Sequence, residues 1–291
     1  MKTSKIRPIV AVFFIVAFLH ANRGMIPINP NAQIFEPNQR AMIAWNGEEE
    51  ILLLTTDIYA SESTLVLEVL PLPSEPEVKE GDTETFTKAI ALINRQMRLL
   101  EKRNGNGESV QTPGGEVTFH EKIGSHDISV IHLLNAESFV DWVNKYLDSL
   151  GVGKVSISAT MKTVISEYIS DDYAWYVFDI IEIGDEIITN EAIQYRFKTK
   201  YLYYPMKITK TVVGNTVIDL LILTPKLLSK FPGLSIKNVK LRHDPVTVMD
   251  YELKDISEDM YQLLNSWTSY KMRIWRIEGD PKAFDKDLLA K

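Results

Sequence analysis

The 291-residue chain contains no cysteine. That absence excludes disulfide staples, a thiol nucleophile, thiolate-ligated zinc or iron–sulfur centres and a cysteine-borne lipid anchor. Histidine is scarce, at 5 residues, which limits imidazole chemistry to a few places. Proline and glycine are ordinary at 13 and 14, so the chain is neither collagen-like nor of low complexity. No GxSxG nucleophile elbow, no GxGxxG fingerprint after a strand and no D-x-[DN]-x-[DN]-G calcium loop occurs. Gly151-Val-Gly-Lys154 imitates a phosphate loop, but Val155 stands where Ser or Thr would hold Mg²⁺. What remains is 45% apolar and 24% charged, the composition of a chain that folds rather than one that stays disordered.

Long apolar runs are also missing after the first stretch. Ile9–Leu19 is unbroken, follows Lys2, Lys5 and Arg7, and precedes the small residue Ala21. This is the layout of a secretory signal, and the run is shorter than the ~20 residues a spanning helix needs. The expected organisation is a leader over 1–21 and one α+β domain over 22–291. A loop over 104–116 offers a division into 22–103 and 117–291. The protein is expected to be exported, with N-terminal membrane anchoring if the leader is retained.

Strands are announced by turn chemistry. Asn46-Gly47 lies between Ala41–Trp45 and Ile51–Tyr59, a hairpin signal. Thr64–Leu70 is expected to complete a three-stranded meander. A helix is expected from Asp82 to Arg103, with Phe86, Ile90, Ile93, Met97 and Leu100 on one stripe. Val117–Lys122 and Asp127–Leu134 read as short strands. Asn135 caps a helix that carries Phe139, Trp142, Val143, Tyr146, Leu147 and Leu150 on one face and stops at Gly151. A shorter helix is expected over Met161–Ser170 and a strand over Tyr173–Ile183.

Residues 193–203 alternate: Ile193, Tyr195, Phe197, Tyr201 and Tyr203 against Gln194, Arg196, Lys198 and Lys200. That pattern predicts one half-buried strand with a wet basic face. Ile208–Val213 and Val217–Leu223 are expected to form a hairpin around Gly214-Asn215. A helix near Ser257–Trp267, a strand near Tyr270–Ile277 and a helix after Pro281 close the chain. Hairpins and strands outnumber helices, so the expected class is α+β, with antiparallel sheets and amphipathic helices on one face.

Candidates for chemistry are few. His120, His126 and His132 fall in one hairpin region beside Glu121 and Asp127, and a metal would need three or four such ligands to converge. Solvated hairpin histidines are the simpler explanation. His243-Asp244 has no partner in the sequence. Glu48–Glu50, Glu75/Glu77, Asp171/Asp172 and Asp185/Glu186 supply paired carboxylates, the raw material of an extracellular hydrolase. Beside turn residues such pairs are usually solvated. Tyr201, Tyr203, Tyr204, Trp175 and Tyr176 fit either a ligand groove or a packed sheet face. No cofactor is assigned.

Charge distribution is the most unusual feature. The whole chain is −7, yet residues 196–242 carry Arg196, Lys198, Lys200, Lys207, Lys210, Lys226, Lys230, Lys237, Lys240 and Arg242 against Asp219 alone. The stretch is therefore +9, and the remainder after the leader is −19. Such a stretch either lies against the acidic part of the same chain or docks an anionic partner, an envelope component or an acidic protein. Nucleic acid is not expected, because no recognition motif accompanies the charge.

The order of short motifs carries a resemblance. Gly24-Met-Ile-Pro27, Ala41-Met-Ile-Ala-Trp45 and Val69-Leu-Pro-Leu-Pro-Ser-Glu-Pro-Glu-Val78 come first. Phe139–Leu150, Tyr173-Ala-Trp-Tyr-Val-Phe178 and Tyr203-Tyr-Pro-Met-Lys-Ile208 follow. From Gly24 to Thr224 this pattern resembles the exported archaeal and bacterial family known as domain of unknown function 2330. The resemblance implies an exported protein and brings no catalytic residues. Members often carry cysteines near the mature N-terminus, whereas this chain has Asn22-Arg23 there, so no role of those cysteines transfers.

The expectation is an exported binding protein that docks an anionic partner through Arg196, Lys198, Lys200, Lys207 and Lys210, with peripheral membrane contact included. The alternatives are a hydrolase using carboxylates or the three hairpin histidines, and a structural subunit of a surface assembly.

Overall fold

The computed structural model describes residues 24–103, 127–133, 135–149, 151–153, 155–211 and 215–291. The leader, the expected loop 104–116 and the expected strand 117–122 lie outside them.

The chain opens with four strands: β1 Gly24–Pro27, β2 Ile34–Trp45, β3 Glu49–Ala60 and β4 Thr64–Leu72. β2 and β3 form the hairpin that Asn46-Gly47 predicts, with Trp45 opposite Glu50. Only Gly47 takes a positive φ, +110°, among the turn residues. Asn46 works through its side chain instead, its Oδ1 accepting the N–H groups of Glu48 and Glu49 at 2.9 and 2.8 Å. β4 does not complete a meander. It leaves this sheet and pairs with β1 in another one.

The middle of the chain supplies β5 Glu77–Glu80, α1 Glu84–Arg103, β6 Asp127–His132, α2 Ala136–Ser149, α3 Ala159–Ser170 and β7 Trp175–Ile183. Asp82 accepts the Glu84 N–H ahead of α1, and Asn135 accepts the Ser138 N–H at the start of α2. Ser158 caps α3 through the Met161 N–H. Each side chain satisfies an amide that the first helical turn leaves without a partner.

Then come β8 Ile188–Thr189, β9 Ile193–Lys198, β10 Leu202–Tyr204, a 3₁₀ turn Lys207–Thr211 and β11 Thr216–Thr224. The predicted strand 193–203 is thus broken in two, and the predicted strand from Ile208 is a 3₁₀ turn. The chain ends with β12 Val239–Leu241, β13 Val246–Met249, α4 Asp250–Ile256, α5 Glu258–Leu264, β14 Ser269–Gly279 and β15 Leu288–Ala290. Only a 3₁₀ turn, Pro281–Ala283, follows Pro281, and the predicted terminal helix is replaced by β15 paired with β10.

The large sheet runs β12-β14-β11-β2-β3-β9-β5, with β13 beside β14 and β8 beside β3. The second runs β1-β4-β7-β6. All pairs are antiparallel except β2 with β11. Both sheets mix strands from before and after residues 104–116, so the core is not divided there.

Four layers result. α1, α4 and α5 cover one face of the large sheet through Phe86, Leu92, Leu253 and Met260. Its other face meets the second sheet across Ala41, Ile43, Leu70, Leu72, Val177 and Trp275. α2 and α3 close the far side of the second sheet on Phe139, Val143, Ile165 and Tyr168. Each sheet therefore carries helices on one face. This layering explains the unbroken apolar runs of β2, β3 and β11: strands covered on both faces need no polar alternation. The class is α+β with mainly antiparallel sheets.

Candidate functional site

The basic residues predicted as one face are dispersed. Arg196 is half-buried and its guanidinium donates to Glu49 at 2.7 Å. Lys198 and Lys200 are exposed. Lys207 is only 6% exposed. Its ammonium meets Asp171 at 2.5 Å and lies 4.4 Å from the centre of the Tyr168 ring. Lys210 pairs with Asp285 at 2.8 Å. The break after Lys198 turns the chain inward, so residues 202–209 run through the interior rather than along a wet face.

Of the predicted metal trio, His120 and His126 lie outside the described residues. His132 is exposed at the end of β6 and stacks on Trp175 with 4.7 Å between ring centres. Among the described residues no group of three or more His, Asp or Glu side chains could hold a metal ion. In the sequence-adjacent acidic pairs, Glu48, Glu75, Glu77, Asp171, Asp172, Asp185 and Glu186 are all exposed. Of the residues in those runs only Glu50 is buried, and the remaining buried carboxyls lie elsewhere. Glu68 and Asp179 face each other across β4 and β7. Glu36 and Asp287 are buried as well. Except for Glu50 the buried carboxyls come from isolated positions that no sequence spacing connects.

Two of these carboxyls anchor the inward-turning segment. Asp287 Oδ1 accepts the Tyr168 hydroxyl at 2.7 Å and the backbone N–H groups of Met206 and Lys207 at 2.7 and 2.8 Å. Burial still raises its pKa, against the lowering effect of those donors and of Lys207. Glu50 accepts the Tyr203 N–H at 2.7 Å, and burial pushes its pKa well above the usual carboxylate range. Tyr173 stacks on Tyr203 and is pushed up to about 12, mainly by burial and then by the nearby Asp287 charge. The aromatics thus pack the interior, and these groups tie it together.

The segment after β11 behaves differently. On β14, Lys271, Arg273, Trp275 and Ile277 alternate and share one face of the sheet. Trp275 and Ile277 belong to the layer between the sheets. Where that layer ends, the same row continues as Arg273 and Lys271, opposite Ile222 and Thr224 of β11. Leu227, Leu228 and Phe231 fold over this end of the sheet, and Leu241 closes the side. The result is an apolar groove of about 180 Å³ with two cations in its lining. Leu227 and Leu241 remain 60% and 44% exposed at its mouth.

Neither cation has an acidic partner among the described residues. Lys271 Nζ donates to the Thr247 hydroxyl at 3.0 Å, and Arg273 Nε donates to the His243 carbonyl at 2.5 Å. The flanking segment adds Lys226, Lys230, Lys237 and Arg242, all exposed and without an ion pair among the described residues. Lys240 pairs with Glu278. Asp219, the one acid of the +9 stretch, is taken by Arg276 in a two-pronged contact at 2.8 and 2.5 Å.

His243 holds the groove edge in place. Between β12 and β13 the ladder along β14 is interrupted, and the imidazole fills the gap. Its Nε2 accepts the Ile274 N–H at 3.2 Å, while its Nδ1 lies 2.7 Å from the Asp244 carbonyl. Those two contacts select the neutral ring with its proton on Nδ1. Burial, with Arg273 and Arg242 nearby, keeps its pKa below the ordinary histidine value.

No family model matches the chain. No curated protein matches it either. Among solved structures, the crystal structure of baculovirus P35 is similar over 92% of this chain and 98% of its own, at 9% identity and a TM-score of 0.43. A likeness at that level carries nothing about function.

Proposed function

We propose that the protein is an exported binding protein that docks an anionic envelope surface through the rim of the C-terminal groove. The carrying observation is an apolar groove lined by Lys271 and Arg273, with the exposed cations Lys226, Lys230, Lys237 and Arg242 on the segment that flanks it and no carboxylate paired to any of the six among the described residues. Unpaired charge of one sign beside exposed apolar side chains favours a surface that is both anionic and apolar beneath its headgroups. The leader-like run Ile9–Leu19 supports export.

The test uses vesicles with and without anionic lipid, at low and high salt. Binding is expected only to the anionic vesicles and is expected to weaken with salt. Lys226→Gln/Lys230→Gln/Lys237→Gln should lower the affinity about a hundredfold, from ~1 kcal/mol per lysine near a charged surface. Lys198→Gln/Lys200→Gln should change it little. Equal losses from both sets, or none from the first, would overturn the assignment of the working surface.

A further inference from the structure

We infer that the groove itself is a binding site for a single-headed carboxylate amphiphile, an alkyl chain lying on Trp275, Phe231 and Leu227 with its carboxylate held by Arg273 and Lys271. This rests on the reading of the C-terminal rim as the working surface and names what enters it.

The argument starts from the strand. Lys271 and Arg273 occupy positions i and i+2 of β14, so their backbones are roughly 6.8 Å apart on the same face. Side chains at that spacing can close on one anionic group. Both are half-buried, and both already lean on neutral oxygens, Thr247 and the His243 carbonyl. Partly desolvated cations without a counter-charge favour an anion more than exposed lysines do, because water competes less for them. Arg273 Nε is committed to His243, which leaves the outer edge of the guanidinium for a ligand.

The walls decide what the anion is attached to. Leu227, Leu228, Phe231 and Leu241 contribute apolar side chains, and the Phe231 and Trp275 rings lie 5.5 Å apart. A sugar or a nucleotide would leave its hydroxyls unpaired there. The size decides the bulk. About 180 Å³ is below the roughly 300–1,000 Å³ of pockets that enclose a drug-sized ligand. It suits a thin chain better than a fused ring system or a second acyl chain. The open mouth at Leu227 and Leu241 lets a longer chain run out along the surface.

The probes are decanoate, decanol and decyltrimethylammonium, titrated below their aggregation limits into the purified protein and followed by calorimetry. Decanoate is expected to bind one per chain and the other two at least tenfold more weakly. Across hexanoate, octanoate and decanoate the affinity should rise by about fourfold per methylene until the groove is filled, then level off. Lys271→Gln/Arg273→Gln should cost decanoate at least tenfold and leave decanol unchanged. Because Arg273 also supports the His243 loop, Leu227→Asp is the second variant. Leu227 is mostly exposed, so this change should spare the fold while it removes apolar contact from the alkyl chain and sets a competing acid in the same lining as Lys271 and Arg273. Decanol binding as tightly as decanoate, or decanoate binding that survives both variants, would overturn the inference. Loss of decanoate binding with anionic-vesicle binding intact would remove this ligand and leave the docking surface standing.

Discussion

The two halves of the basic stretch carry equal numbers of positive charges and use them in opposite ways. Residues 196–210 hold five cations, of which Arg196, Lys207 and Lys210 are paired with Glu49, Asp171 and Asp285. Residues 226–242 hold the other five, and only Lys240 is paired among the described residues. The first half is fixed from behind by Glu50 and Asp287. The second lies over an apolar groove. Net charge along a sequence therefore locates an excess but not its use, since the neutralising acids are 36, 75 and 147 positions away in the chain. Exposure and pairing separate the charge that maintains the fold from the charge that is free to meet a partner.

The sharpest way to break the comparison is at Asp287. Asp287→Ala strands three buried donors, the Tyr168 hydroxyl and the Met206 and Lys207 amides. At ~1–3 kcal/mol for each buried group left unsatisfied, a loss of about 4 kcal/mol is expected in urea unfolding. Asp287→Asn keeps the single oxygen that accepts all three and should lose much less. If the two variants were equally damaging, the segment would be held by charge rather than by that acceptor.

Lys207→Met comes next. It removes a buried ammonium and its contact with Asp171, but Asp171 is 57% exposed at its side chain and can be rehydrated. The expected cost is therefore about 1–2 kcal/mol, with vesicle binding unchanged. Loss of vesicle binding at full stability would assign Lys207 to the working surface and erase the difference between the halves.

Much of this architecture was legible from the residues. The hairpin at Asn46-Gly47, the cap at Asn135 and the apolar stripe of α2 are local signals, and local physics decided them. Alternation over 193–203 placed Ile193, Tyr195, Phe197 and Tyr203 inside. It could not show that the strand ends at Lys198, since no glycine or proline marks the break. There, Thr199 turns the chain through its N–H to Glu48 and its hydroxyl to the Tyr201 carbonyl. Leu288–Ala290 reads as helix by propensity and is strand because β10 offers it a partner. The groove had a visible trace, two cations in the same strand row as Trp275 and Ile277. They lie beyond Arg242, outside the +9 stretch, and the Leu227–Phe231 wall has no periodicity to announce it.

Acidity distinguishes the halves further, with opposite signs. Glu50, which holds the first half from behind, has a raised folded-state pKa. Below the ordinary glutamic acid value, ~4.3, both states hold its proton. As pH rises past that value the unfolded chain ionises first, so stability falls until the folded-state pKa is passed. Glu50→Gln removes that fall, about 1.4 kcal/mol for each tenfold difference in proton affinity between the folded and unfolded chains. It should therefore stabilise the protein near pH 8 relative to pH 4, as read by urea unfolding at the two values.

His243, just beyond the second half, works in the other direction and on a smaller scale. Its folded-state pKa lies below the ordinary value of ~6.5. Above that value neither state binds the proton. As pH falls through it, the unfolded chain is protonated first and stability declines until the folded-state pKa is reached. Protonation also sets a second N–H against the Ile274 amide, which Nε2 now accepts, so the ladder gap between β12 and β13 should open first. Amide exchange at Ile274, corrected for its intrinsic pH dependence, is expected to quicken as pH falls below about 6.5. Exchange at Met206 and Lys207, held by Asp287, should not quicken over the same fall in pH. Quickening at all three together would mean that the two halves open as one unit, and the separation drawn between them would be one of charge alone.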